Sequence, residues 1–417
     1  MPSFPDPKRT VAELKELRAL TGTEDGAQRV AFTKTWQEAR AWLKEKMAEL
    51  PAEEHADAAG NLWFTLKGES EKALIIGGHM DSVPNGGWLD GSLNVMCGVE
   101  ILRRIHEEFG GNPPVTVRLV DWADEEGARF GKSLFGSAAF SGNLDMEEAR
   151  VLKDRDGVPL PDALGECGID FENVKQARVE QKNAAAYLEL HIEQGPVLLD
   201  LDLPLAVVQG TYGVERHEII FHGQAAHSGS TPMNRRKDAL LPAARMAAEI
   251  YKITGRHGGV CTIGSCKTEP GIVTSVVEGC RITLDQRHLD PVALASMLDD
   301  AKVASERFAS EANVTVRWEK ILGIAPQPFH AKLMDFCTEA ILQVSGEAPH
   351  LPSGPLHDAA EVSAAGIPTV MMFVQSLHGI SHNKIEDTRE EHIELSVLAM
   401  DHLARRTMEW IQENEKP

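Results

Sequence analysis

The sequence predicts an α/β protein built on an open sheet, with a second, ferredoxin-like α/β sandwich inserted into it. Three observations carry this expectation. The apolar strand segments Lys72–Gly77, Val115–Trp122 and Tyr187–Leu190 are each followed shortly by His79, by Glu125-Glu126 and by His191. In an open α/β sheet, the carboxyl ends of strands are where ligands gather. The stretch from Arg216 to Glu319 then changes to a β-α-β-β-α-β order, that of a ferredoxin-like sandwich. From about Ala325 the first pattern returns and runs to His382, so the sandwich interrupts the first domain. The expected boundaries are 1–212 with 326–417 for the first domain and 213–325 for the insertion.

Taken in order, Asp25–Leu50 is expected to be helical, because Phe32, Trp36, Ala39, Leu43 and Met47 recur at helical spacing. Asn61–Lys67 alternates like a half-buried strand. Lys72–Gly77 is a largely apolar strand, Gly91–Phe109 a helix and Val115–Trp122 a buried strand. In the insertion, Arg216–His222, Gly259–Cys266, Thr274–Leu284 and Val314–Glu319 read as strands. Arg236–Thr254 and Pro291–Ala312 read as helices. Helix Ala331–Val344 and strand Pro368–Val374 complete the chain.

Composition narrows the class. The 417 residues suit two domains. Hydrophobic content of 42% and charged content of 25% are those of a soluble globular protein. A formal charge of −21 disfavours nucleic acid and anionic membranes. No apolar run reaches the 18 residues of a membrane span. The first ten residues, MPSFPDPKRT, contain no apolar signal core. The six cysteines, Cys97, Cys167, Cys261, Cys266, Cys280 and Cys337, are too scattered for a disulfide framework. Reduced thiols and a cytoplasmic location are expected. Cys261 and Cys266 lack the second pair that a cysteine metal site requires.

The chemistry lies in four compact segments: GGHMDSVPNGGWLDG, DWADEEGARFG, YLELHIEQGP and HGISHNKIED. They hold His79, Asp90, Glu126, His191 and His382. Three imidazoles with two carboxylates suit Zn²⁺, Mn²⁺, Co²⁺ or Ni²⁺ better than Ca²⁺. Taken singly, each residue has a plainer reading: Asp90 can cap its glycine-rich turn, and a histidine at a strand end can simply be hydrogen-bonded. One open sheet edge accounts for all five together. Asp90 is the candidate bridge between two ions, because a carboxylate has two oxygens and the GGWLDGS turn can fold back toward His79. Asp81 is the candidate supporting carboxylate for His79. Adjacent residues in an extended chain point to opposite sides, so Glu126 can bind metal while Glu125 faces substrate as general base. A metal-activated water beside such a carboxylate is hydrolytic machinery.

On these segments, together with AHSGSTPMNRRKDA, SGPLHDAAEV and FVQSLHGISHN, the chain resembles the di-zinc aminoacylase/carboxypeptidase-like amidohydrolases. It is most similar to the branch of N-carbamoyl-L-amino acid hydrolases, β-ureidopropionases and allantoate amidohydrolases, from about Arg18 to about Ile411. The resemblance implies a metallopeptidase-like catalytic domain with a central mixed sheet, an inserted dimerisation or lid domain, and a homodimer. It implies one divalent metal ion on His79, Asp90 and His191 and a second on Asp90, Glu126 and His382. Glu125 would be general base and acid. Gln194, His227, Arg287, His357 and Arg216 match substrate-site positions; His227 would stabilise the oxyanion in the partner subunit's site, and Arg287 would grip a substrate carboxylate with its planar fork. The chain departs from the branch in EPGIVTSVVEGC, where Thr274 or Ser275 stands in place of a carboxylate-gripping asparagine. It departs also at Pro355-Leu356 and at Gln375.

The expected reaction is hydrolysis of the carbamoyl C–N bond of an N-carbamoyl-L-amino acid or similar ureido acid. Allantoate, a formylamino-pyrimidine or an N-acyl amino acid is the alternative substrate. A di-metal peptidase and a catalytically silent binding protein are the more distant readings. A silent relative is under no demand to keep Glu125 together with all five ligands.

Overall fold

The strands that end in candidate site residues lie side by side in one mixed sheet. The computed structural model describes residues 4–415. The chain divides into two compact units, one formed by residues up to Gln209 and from Phe329, the other by Gly210–Pro328. In the first unit the spatial order of strands is Glu53–Ala56, Leu62–Leu66, Val115–Trp122, Ser70–His79, Ala184–Ile192, Thr369–Val374 and Leu205–Thr211. Ser70–His79 runs parallel to both Val115–Trp122 and Ala184–Ile192, which in turn is parallel to Thr369–Val374. The outer pairings are antiparallel.

The parallel centre is apolar on both faces, as a doubly covered sheet requires. Leu74, Ile76, Val117, Leu119, Leu188, Leu190 and Met372 share a core with helices Ser92–Phe109, Ala331–Ser345 and Glu390–Glu415. Ile75, Val120, Trp122, Tyr187, Met371 and Phe373 share the opposite core with Phe140, Ala359 and Val362. Each buried Val, Leu, Ile, Met or Phe among these contributes about 1.5–3 kcal/mol. The two-residue strand period carries this second face on to His79, Glu189 and His191.

Gly91 determines how the next turn returns to His79. It caps helix Ser92–Phe109 at φ 66°, a conformation costly for residues with a Cβ. A Cβ there would lie 2.4 Å from the His79 ring.

The second unit has a four-stranded antiparallel sheet in the order Val260–Glu269, Gly279–His288, Gly213–His222, Thr315–Ile324. Helices Leu240–His257 and Pro291–Glu311 cover one face, where Ile219, Phe221, Ile282 and Leu284 meet Met246, Ile250, Met297 and Phe308. The alternate residues Arg216, Glu218, Arg281, Asp285 and Arg287 belong to the other face by register.

Several elements differ from expectation. The first expected helix begins at Lys34 rather than Asp25, because Gly22–Thr23 and Gly26–Ala27 form a tight hairpin. There Gly26 adopts φ 113° against the Gly86 carbonyl, and Thr33 then caps the helix. The strand expected at Thr274–Leu284 starts at Gly279, because Ser275-Val276 pair instead with Ala226-His227. Helices Pro7–Thr21 and Glu390–Glu415 and strand Leu205–Thr211 were not anticipated. No helix among the described residues is long and apolar enough to cross a membrane.

Replacing Gly91 by alanine is expected to lower the unfolding free energy by at least about 1 kcal/mol, from backbone strain alone. Urea denaturation followed by tryptophan fluorescence checks this. Unchanged stability would mean that neither the left-handed backbone at position 91 nor the His79 contact carries a cost.

Candidate active site

His79 is the last residue of its strand and His191 the penultimate residue of the neighbouring one. Parallel pairing aligns those ends, and the two rings lie with centroids 6.0 Å apart. The Nδ1 atom of His79 lies 3.1 Å from the Asp81 carbonyl oxygen, and that of His191 lies 2.9 Å from the Ile192 carbonyl oxygen. A carbonyl oxygen only accepts, so each Nδ1 carries a proton and each Nε2 is turned toward Asp90.

Asp90 takes the space in front of these two Nε2 atoms. Its Oδ1 is 3.2 Å from His191 Nε2 and 3.9 Å from His79 Nε2. Its Oδ2 is 3.3 Å from His382 Nε2, and His382 Nε2 is 3.2 Å from Glu126 Oε2. Among the described residues, two sets of three donors arise, His79/Asp90/His191 and Asp90/Glu126/His382, each with its ligand atoms within 4.8 Å of one another. They share Asp90, one carboxyl oxygen facing each set. The buried Nε2 of His79 and Oε1 of Glu126 have no hydrogen-bond partner. Orphaned donor atoms of this kind, in an imidazole–carboxylate set, fit divalent cations.

Glu125 is buried, with Oε2 3.7 Å from His79 Nε2. Asp81 holds the turn that presents it: its two oxygens accept from the backbone N–H groups of Glu125 and Glu126 at 3.2 and 3.1 Å. The residue before Glu125, Asp124, sits at φ 56°, and Gln194 and His382 at 58° and 54°. Backbone strain of this kind is concentrated at functional sites.

Burial governs the electrostatics. It pulls the His79 ring down to about 4, so that it is neutral. It also works against a charged His191, but the hydrogen bond and negative charge of Asp90, together with the charge of Glu189 and the Ile192 carbonyl, outweigh it and raise that ring to about 9. Burial pushes Glu125 well above the usual carboxylate range, helped by the negative charges of Asp358 and Glu126. Asp90 goes the other way: burial opposes ionisation, but hydrogen bonds from His191 and His382 hold it well below the usual range.

Other residues singled out from the sequence take varied places. The Gln194 amide nitrogen donates to Asp90 Oδ2 at 3.0 Å. His357 is buried behind His191, ring centroids 4.3 Å apart, with Nε2 2.9 Å from the Ser353 hydroxyl. In the second unit, His227 pairs directly across from Ser275. The Nδ1 of His227 accepts from the N–H groups of Gly229 and Ser230 at 3.1 and 3.2 Å, so its proton sits on Nε2 as a donor. Thr274 is exposed, and its carbonyl accepts from Ser228 N–H. Arg216 and Arg287 are both held by Asp285, at 2.6 and 2.9 Å. Gln375 is buried and donates to the carbonyls of Leu198 and Leu203; it is a structural residue of the first unit.

Sequence reasoning missed three residues. Glu386 accepts from the backbone N–H groups of Leu89 and Asp90 at 3.3 and 3.1 Å. Ser381 donates to Asp90 Oδ2 at 3.1 Å. Both lie in the HGISHNKIED segment, so their signal was proximity to His382. Arg29 is fully buried, and its Nε donates to the Met80 carbonyl at 2.7 Å. It is isolated in sequence and carried no such signal.

Residues 75–406 match the model of peptidase family M20/M25/M40. An N-carbamoyl-L-amino acid amidohydrolase of Geobacillus stearothermophilus is 33% identical over 88% of this chain and 90% of its own length. An allantoate amidohydrolase of Escherichia coli is 29% identical over 87% and 88%. The crystal structure of an amidase of the hydantoinase/carbamoylase family from Burkholderia multivorans superposes with a TM-score of 0.85 at 29% identity, covering 97% of this chain and 98% of that one. The matched span includes Glu125 and all five candidate ligands, and the chain belongs to the peptidase family M20/M25/M40.

Proposed function

We propose that the chain hydrolyses the carbamoyl C–N bond of an N-carbamoyl-L-amino acid or a similar ureido acid, releasing the amino acid, CO₂ and ammonia. The observation that carries this reading is the pair of three-donor sets sharing Asp90 beside the buried Glu125, in a chain similar to carbamoyl-amino acid amidohydrolases. Allantoate is the second reading, favoured by the similarity to allantoate amidohydrolases; it too is a ureido acid.

In this reading His79, Asp90 and His191 hold one divalent ion and Asp90, Glu126 and His382 another, of Zn²⁺, Mn²⁺, Co²⁺ or Ni²⁺ type. Such ions supply Lewis acidity and lower the pKa of water. Glu125 accepts the proton of the attacking water and delivers it to the departing nitrogen. Asp81 orients this base through its two backbone bonds. Gln194 steadies Asp90. The inserted unit makes a homodimer, in which His227 donates from Nε2 to the oxyanion of the other subunit's substrate. Arg287, oriented by Asp285, grips the substrate carboxylate, with Thr274 or Ser275 as a weaker hydroxyl partner; Arg216 and His357 are further substrate-binding residues.

Dialysis against a chelator is expected to abolish ammonia release, and one added divalent metal to restore it; full activity in metal-free protein would sink the reading. A panel of N-carbamoyl amino acids, allantoate and N-acyl amino acids distinguishes the substrates.

Glu125→Gln is isosteric but a poor base. It should lower kcat by about 10²–10⁴-fold or more while metal content, measured by elemental analysis, stays near wild type. Loss of metal along with rate would make Glu125 a ligand instead.

Arg287→Ala should lower kcat/KM for an N-carbamoyl amino acid by about 1.5–3 kcal/mol, the value of a charge-assisted hydrogen bond. The corresponding amide substrate, lacking the carboxylate, should be affected far less. Mixed dimers of Glu125→Gln and His227→Ala subunits should recover part of the activity, whereas verified heterodimers without recovery would place His227 in its own subunit's chemistry.

A further inference from the structure

We infer that Cys266 and Cys280 are an oxidisable thiol pair, which a low-molecular-weight disulfide converts to a cross-strand disulfide at the neck of the loop carrying Thr274 and Ser275. Their Sγ atoms lie 3.7 Å apart on adjacent antiparallel strands. The register pairs Cys266 with Ile282 and Thr268 with Cys280, so the two cysteines are diagonal neighbours on the same face of the sheet. Cys266 is exposed and Cys280 buried: one thiol meets the solvent and the other waits beneath it.

The remaining cysteines are placed differently. Cys97 and Cys337 are buried. Cys261 donates to the Ile250 carbonyl and contacts the Thr254 hydroxyl. Cys167 accepts from the Gln37 amide.

A disulfide bond is about 2.05 Å long, so the sulfurs must approach by about 1.7 Å. Strand Val260–Glu269 can supply this movement. It is the outermost strand of its sheet, with a single ladder to maintain, and its register already shifts between Ile263 and Ser265.

The chemistry balances. The Cys266 thiolate attacks one sulfur of the oxidant and releases one small thiol, leaving a mixed disulfide. The Cys280 thiolate then attacks the Cys266 sulfur and releases the second small thiol. The protein gives up two electrons and two protons, and the oxidant leaves as two thiols. Burial, and hydrogen bonding with Cys266, push the Cys280 thiol up to about 12, so the second displacement is the slow one and quickens as pH rises.

The bond would close the loop of residues 267–279. Within that loop Ser275-Val276 pair with Ala226-His227, so the crosslink restrains the strand pair on which His227 stands. This inference rests on thiol geometry alone, so its failure would leave the proposed reaction untouched.

The full-length protein is incubated with oxidised glutathione, and its thiols are titrated in denaturant and mapped by peptide mass spectrometry. Two of the six cysteines should disappear, a single crosslinked peptide should join positions 266 and 280, and reductant should reverse both. Cys266→Ser, at an exposed position, should retain all five of its remaining thiols under the same oxidation or lose none to a crosslink, and Cys167→Ser should still lose two. An unchanged thiol count, a protein that stops with glutathione retained on Cys266, or a crosslink between other cysteines overturns the inference.

Discussion

Asp90 ties the catalytic unit together. One carboxyl oxygen faces His191 and His79, and the other faces His382, Gln194 and Ser381. Its backbone N–H is held by Glu386. The ends of two parallel strands, the turn before helix Ser92–Phe109 and the loop after strand Thr369–Val374 therefore converge on one side chain. The convergence requires that the turn carrying Asp90 fold onto His79, which Gly91 permits. A carboxylate is suited to this position because it can serve two donor sets at once without a second acidic residue being brought into the same space.

Gathering this many acidic groups away from water is costly, and the surroundings show how the cost is met. Asp81 accepts two backbone N–H groups, Glu386 two more. Hydrogen bonds from two imidazoles keep Asp90 ionised against its burial. Arg29, itself wholly buried, adds a permanent positive charge near Asp81, Asp90, Glu126 and Glu386. Among the buried atoms still without partners, His79 Nε2 and Glu126 Oε1 are ones that divalent cations would satisfy. Structure and chemistry thus meet at the same atoms.

In the inserted unit, polar side chains are held by one another on the sheet. Asp285 lies between Arg216 and Arg287 and holds both guanidinium groups in place. The short pairing of Ala226-His227 with Ser275-Val276 orients a histidine whose Nδ1 is already occupied by backbone donors.

Much of this was legible in the sequence because it rests on local rules. Apolar runs ending in histidine or glutamate placed His79, Glu125, Glu126 and His191 at strand ends, and the change of element order marked the inserted sandwich. The misreadings have physical causes too. The helix expected from Asp25 gave way to a hairpin because Gly26 packs against the carbonyl of Gly86, far along the chain, and the periodicity of Phe32 and Trp36 carries no trace of that contact. Gln375 interrupts a motif in sequence, yet its amide only satisfies two nearby carbonyls. What the sequence by itself determined is the chemistry: which residue types are present, and that strand ends would carry them. What only the tertiary structure decided is their geometry: that Asp90 divides its oxygens between two donor sets, that Glu386 and Arg29 belong to the same buried network, and that Cys266 lies beside Cys280. Those relations join residues as far apart as Arg29 and Glu386, and only the folded chain brings such residues within reach of each other's charges.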